Sequence, residues 1–159
     1  MGAPGQANCI GHWKMDDTGA TKIIVDSSSA GNNGTALRNA SLMTSPGKIN
    51  NAFTFDGADD KITLGSDIID ASAASVCCWM YATGWGETGA GTLIDNGKFT
   101  VYIHLAVLGF TSNNVVWIDS AASSIILNTW HFVCVTRAAD GTANLYIDGI
   151  LSGAADRAS

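Results

Sequence analysis

Charge is scarce in this chain. Asp, Glu, Lys and Arg make up 14% of the 159 residues, well under the usual quarter. Basic charge is scarcer still, with 8 Lys and Arg against 14 Asp and Glu and a net charge of −6. That balance excludes a nucleic-acid partner, because binding phosphates requires a basic footprint. It excludes docking on an anionic membrane surface for the same reason. No apolar run approaches the ~20 residues that cross a bilayer. The opening MGAPGQAN has neither a basic nor an apolar segment, so no signal peptide is read there. Proline is limited to Pro4 and Pro46 and glutamate to Glu87. The shortage of glutamate bears on catalysis, since a glycosidase sets two carboxyls roughly 5–9.5 Å apart with one able to act as acid. No strand-like run carries alternating acids, and Asp59 and Asp60 are neighbours at a turn. There is no Gly-x-Ser-x-Gly elbow, and His12, His104 and His131 lack metal-ligand spacing. No catalytic residue is predicted.

What the chain has is turns and short β-compatible runs. Trp130 to Thr136 is aromatic and β-branched, Asp140-Gly141 follows, and Leu145 and Ile147 alternate with Asn144, Tyr146 and Asp148. That pattern is a hairpin, closing on a further Asp148-Gly149 turn. Asn96-Gly97 between Thr92–Asp95 and Lys98–Leu105 predicts a second hairpin. Strand candidates are 9–15, 33–38, 52–56, 60–64, 75–81, 91–95, 98–104, 107–111, 114–118, 130–137 and 142–148. Turn signals separate them at Asn33-Gly34, Asp56-Gly57 and Asn113-Asn114, and Asp67–Ala74 is the one stretch compatible with a helical turn. Many short strands with turns between them predict an all-β, two-sheet antiparallel sandwich. No linker divides the chain, so residues 1–8 are read as an extension and 9–159 as one domain. Of the four cysteines, Cys9, Cys77, Cys78 and Cys134, the neighbours Cys77 and Cys78 must face opposite ways on one strand. Cys78 and Cys134 read as small buried hydrophobes, with a bridge or a metal as lesser alternatives.

Six segments in order carry a family resemblance: Trp13-Lys14-Met15-Asp16, Asp26 to Thr35, Ala52 to Asp60, Ser75 to Met80, Asn128-Thr129-Trp130-His131, and Leu145 to Gly149. From about residue 10 to 151 the chain resembles the concanavalin A-like, laminin G-like domain family. The resemblance implies a jelly roll, places Trp13, Trp79 and Trp130 in the core, and allows a structural calcium in rim loops. Family members continue past the last Asp-Gly turn into further strands, ending in one that pairs near the first. The expectation here is that this last strand is lacking or supplied by a partner, and that the open sheet edge favours homo-oligomers.

Calcium takes six to eight oxygens, and two loops are rich in them. Asp26, Asn32, Asp56 and Asp60 are the candidate ligands, with Asp16 and Asp17 in reserve, against a plainer role as Asx-turn formers. A sugar site requires an aromatic face and polar groups beside it. Trp85, alone among glycines in a loop, and Trp117, in a strand expected at the middle of the concave sheet, lack an obvious packing role. Tyr102 and His104 are two apart and share a face, and Asp95, Asn113 and Asp119 can supply hydrogen bonds. The plainer reading of each is surface or core filler. Gly84 to Gly89 matches G-x-G-x-x-G, but strand rather than helix follows, so no dipole faces a pyrophosphate. Asn33 and Asn39 match glycosylation acceptors, relevant only in a secreted eukaryotic protein.

The expectation is a non-catalytic, lectin-like module that binds a polysaccharide or glycan, within a larger extracellular, cell-surface or virion protein. A structural or protein-adhesion module is the alternative, and a binding fragment of a larger hydrolase is a third.

Overall fold

The computed structural model describes residues 8–69, 73–86, 88–112 and 116–155. The chain forms two compact units, Met1–Ile68 and Ile69–Ser159. The architecture is all-β, with antiparallel pairing throughout the named strands.

The first unit contains β1 (Ile23–Ile24), β2 (Gly34–Ala36), α1 (Ala40–Met43), β3 (Thr44–Pro46), β4 (Asn51–Phe53) and β5 (Ile62–Leu64). Its sheets are β1-β2-β5 and the hairpin β3-β4. Ile24, Ala36, Ala40, Met43 and Phe53 form its core, with Trp13, Met15 and Ile62 packed against them. Trp13 therefore stands at a core, as the resemblance implied. The predicted strand at 9–15 is reduced to one bridge between Trp13 and Asp26. Gly34 opens β2 instead of turning the chain, and the left-handed turn residue is Gly31. The helical turn lies at Ala40–Met43, not in Asp67–Ala74. Residues 67–69 and 73–74 of that stretch are non-helical, and 70–72 lie outside the described residues.

The second unit holds β6 (Ala74–Tyr81), β7 (Ala90–Asp95), β8 (Phe99–His104), β9 (Val107–Ser112), β10 (Val116–Asp119), β11 (Trp130–Arg137), β12 (Ala143–Ile147) and β13 (Ile150–Ala155). They form two four-stranded sheets, ordered β10-β9-β8-β7 and β13-β12-β11-β6. Phe99, Val101, Ile103, Leu108, Phe110 and Ile118 of the first sheet share one core with Met80, Val133, Val135, Leu145 and Ile147 of the second. This is the expected sandwich, and the alternation along each strand is its cause. Each fully buried Leu, Val or Phe contributes about 1.5–3 kcal/mol relative to exposure.

Turn chemistry sets the connections. Asp148 and Gly149 both have positive φ, 54° and 82°, the type I′ geometry that joins β12 to β13. Asn96 Oδ1 accepts the Lys98 and Phe99 amides, and Asp95 Oδ1 accepts the Gly97 amide and the Thr100 hydroxyl. Between β8 and β9 the turn residues Leu105 and Ala106 take φ of 45° and 73° without glycine. Sequence reading did not mark β1, β3 or β13. The first two are very short, and β13 reads ILSGAA with a glycine inside it.

Candidate functional site: the outward face of sheet β7–β10

Register determines which outward side chains meet. Thr92, Tyr102, Gly109 and Asp119 lie in one row across β7, β8, β9 and β10. Asp95, Thr100, Thr111 and Trp117 form the next row. His104 begins a third, opposite Ala90 and Val107. The candidates Tyr102, His104, Asp95, Trp117 and Asp119, scattered over 25 residues of sequence, therefore share one face. Asn113 lies outside the described residues.

Gly109 shapes this face. A Cβ placed on it would overlap the Tyr102 ring, so only glycine lets the phenol lie across β9 toward β10. There the Tyr102 hydroxyl comes under the influence of the Asp119 carboxylate. Burial, then the interaction with Asp119, raises the Tyr102 pKa. Tyr102 meets Trp117 edge-on, with ring centroids 6.4 Å apart. Trp117 is 64% exposed. It stands on β10, which borders its sheet, and not in mid-sheet as expected, because β9 takes the inner position through its pairing with β8. Thr111, 5% exposed between Thr100 and Trp117, has a hydroxyl without a hydrogen-bond partner among the described residues. Gly109 went unread in the sequence; a lone glycine inside a strand is the signal that could have revealed it.

The other candidates are engaged differently. Trp85 is half-buried and packs against the main core, so the loop folds its ring inward, contrary to the exposure expected of it. Asp95 serves the β7–β8 turn. Trp79 and Trp130, expected inside, lie on the outward face of the second sheet; Trp79 pairs with Phe132 and Trp130 with Tyr81, each at 5.4 Å. Their strand neighbours Met80, His131 and Val133 take the inward places, and period-2 alternation then turns both tryptophans out. Cys134 is not a free hydrophobe, since it faces Cys77 across β6 and β11 and the two form a disulfide. Cys78, one residue on, turns toward the core, and burial pushes its thiol up to about 11.

The calcium candidates fall in the first unit. Asp26 is buried, and its carboxylate accepts the amides of His12, Ser28 and Asn32 and the Ser28 hydroxyl. Burial raises its pKa, but these donors outweigh it and bring the group down to about 2. Asn32 donates to the Ile10 carbonyl and accepts the Trp13 indole N–H on its own carbonyl. Both Asp26 carboxylate oxygens and the Asn32 side-chain nitrogen are thus engaged by protein partners. Asp56, Asp59 and Asp60 bring carboxylate oxygens within 4.8 Å of one another, the one such acidic group among the described residues. Asp60 is ion-paired to Arg38, and Asp56 Oδ1 accepts the amides of Ala58, Asp59 and Asp60. Asp17 accepts the Val25 amide.

No curated protein matches the sequence. Among solved structures, the S-layer domain-containing protein of Clostridium thermocellum (residues 221–444) is similar, with a TM-score of 0.55 and 20% identity. The match covers 91% of this chain and 71% of that one, and at such identity it shows the fold. No helix among the described residues is long and apolar enough to cross a membrane. The family model of the concanavalin A-like lectin/glucanases superfamily, a laminin G-like model, matches residues 56–159, more than half of the chain, and the chain belongs to that superfamily.

Proposed function

We propose that this domain is a non-catalytic carbohydrate-binding module whose site is the outward face of β7–β10. The observation that carries the reading is Trp117, 64% exposed beside a Tyr102–Asp119 pair. An exposed indole offers a face for the apolar side of a sugar ring, with Asp119 two residues along β10 and Thr100 and His104 further across the same face as polar groups. Glycoside cleavage would require a second carboxyl at the right separation. On this face Asp95 is held by its turn, which leaves Asp119 without a free carboxyl partner among the described residues there. Membership of a superfamily named for lectins and glucanases supports a glycan ligand, and likeness to an S-layer domain-containing protein supports a cell-surface setting.

For calcium, the place the residues support best is the Asp56–Asp60 turn, where the ion would stiffen the loop. Asp56 and Asp59 would be its carboxylate ligands, because Asp60 is shared with Arg38. The rival reading, an adhesion or assembly module, is favoured by Ile150 and Leu151, exposed on β13 at the border of its sheet. A homo-oligomer formed there would show as a concentration-dependent sedimentation coefficient.

Affinity electrophoresis of the domain on a polysaccharide panel, with calcium and with EDTA, tests the proposal. Retardation on one glycan class, abolished by Trp117→Ala, is the expected result. Loss with EDTA alone would assign calcium a part in ordering the site. Absence of retardation on every glycan would overturn the sugar reading in favour of assembly.

A further inference from the structure

The second sheet presents its own aromatic surface. Trp79 stands opposite Phe132, and Tyr81 opposite Trp130, on the outward side of the β6–β11 ladder. Within each pair the centroids are 5.4 Å apart and the rings tilted by 56° and 54°. Trp79 is 40% and Tyr81 44% exposed. The two pairs are two residues apart on both strands, roughly 7 Å along the sheet, so successive units of one chain polymer can meet successive pairs. The Cys77–Cys134 disulfide joins the same two strands one step further along and holds the ladder in register.

We infer that this ladder is a second, extended platform for a neutral polysaccharide chain. The inference rests on the carbohydrate reading above and adds the class of glycan. Charge decides the class. The outward positions of β6, β11 and β12, from Ser75 to Tyr146, include no charged side chain. The chain as a whole carries −6 and repels a polyanion. A neutral polymer meets no such opposition, and its ring C–H faces suit tilted aromatic pairs. The Tyr81 and Tyr146 hydroxyls and, beyond the disulfide, the Ser75–Thr136 pair provide hydrogen-bonding groups along the same face.

The test uses affinity electrophoresis of the whole chain in gels containing hydroxyethyl cellulose, xylan or soluble starch as neutral probes, with polygalacturonate as the anionic one. The expected result is retardation by at least one neutral probe and none by polygalacturonate. Trp130→Ala should weaken that retention by about tenfold or more and Tyr81→Ser by about threefold or more, each variant checked for parental near-UV circular dichroism. Should Trp130→Ala fail to fold, Tyr81→Ser carries the test, since its ring is the more exposed of the two. If both variants bind like the parent while Trp117→Ala does not, this inference falls and the proposed function stands. If no glycan retards the parent, both fall. Retention on polygalacturonate lost in Tyr81→Ser would overturn the neutral class. A dimer in sedimentation velocity that Tyr81→Ser disperses would show that a second copy takes this face, which also overturns it.

Discussion

Nδ1 of His131 lies 2.8 Å from Oδ2 of Asp148, while Nε2 of the same ring accepts the Ile126 amide at 3.1 Å. Since Nε2 accepts, the proton must sit on Nδ1 and be donated to the carboxylate. Asp148 Oδ1 in turn accepts the Phe132 amide, and the Phe132 carbonyl accepts the Asp148 amide. One imidazole, 5% exposed, therefore ties the loop before β11 to the turn after β12. Nitrogen-15 shifts should report a protonated Nδ1 and a bare Nε2. Replacement His131→Ala should cost about 2–4 kcal/mol by urea denaturation, combining lost bonds with a cavity. Asp148→Asn, which can still accept from Nδ1 and tolerates the left-handed backbone, should cost less than Asp148→Ala. Equal losses would remove the bond from the account.

Gly109 and Tyr102 form the second relationship open to test. Adding one methyl group in Gly109→Ala should force the Tyr102 ring off β9 and cost about 1–3 kcal/mol from overpacking. Glycan retention should fall with it, although the added methyl itself touches no sugar. Tyr102→Phe keeps the ring but removes the hydroxyl, and should weaken retention while leaving the melting temperature within a few degrees. Unchanged retention in both variants would separate this pair from the site.

Thiol counting tests the disulfide. Denatured without reductant, the chain should titrate only Cys9 and Cys78 among its 4 cysteines. The bridge closes a loop of 57 residues, worth about 4 kcal/mol in the chain-entropy treatment. Reduction should therefore lower the urea midpoint clearly. In the folded protein Cys78 should alkylate very slowly, because burial raises its thiol to about 11. A titre of four would dismiss the bridge.

Asp26 predicts a pH dependence. Its folded pKa, about 2, is below its ordinary 3.8, so the folded state favours the carboxylate. The stabilisation is fully present above about pH 4 and is lost as pH falls toward 2. Asp26→Asn should melt below the parent at pH 6, and the difference should shrink as both are measured down to pH 2.5. A gap that stays constant over that range would mean that the loop does not depend on the ionised group.

Much of the site was half legible. Tyr102 and His104 share a face by parity alone, and Asn96-Gly97 and Asp140-Gly141 announce their hairpins. The partnership of Tyr102 with Asp119 was not readable, because it depends on the register of β9 against both neighbours and on the missing side chain at Gly109. Trp85 and Trp79 exchanged the places expected for them. A glycine-rich loop can fold a ring inward, and alternation says which residues share a face without saying which face is covered.

By itself the sequence determined an all-β sandwich of this superfamily, because turn residues and period-2 patterning are local and the six segments keep their order. Only the tertiary structure decided that Cys77 meets Cys134, that Tyr102 reaches Asp119 beside Trp117, and that an aromatic ladder faces outward. Those pairings join strands distant in sequence, and a shift of one residue in register would send every one of these side chains to the opposite face.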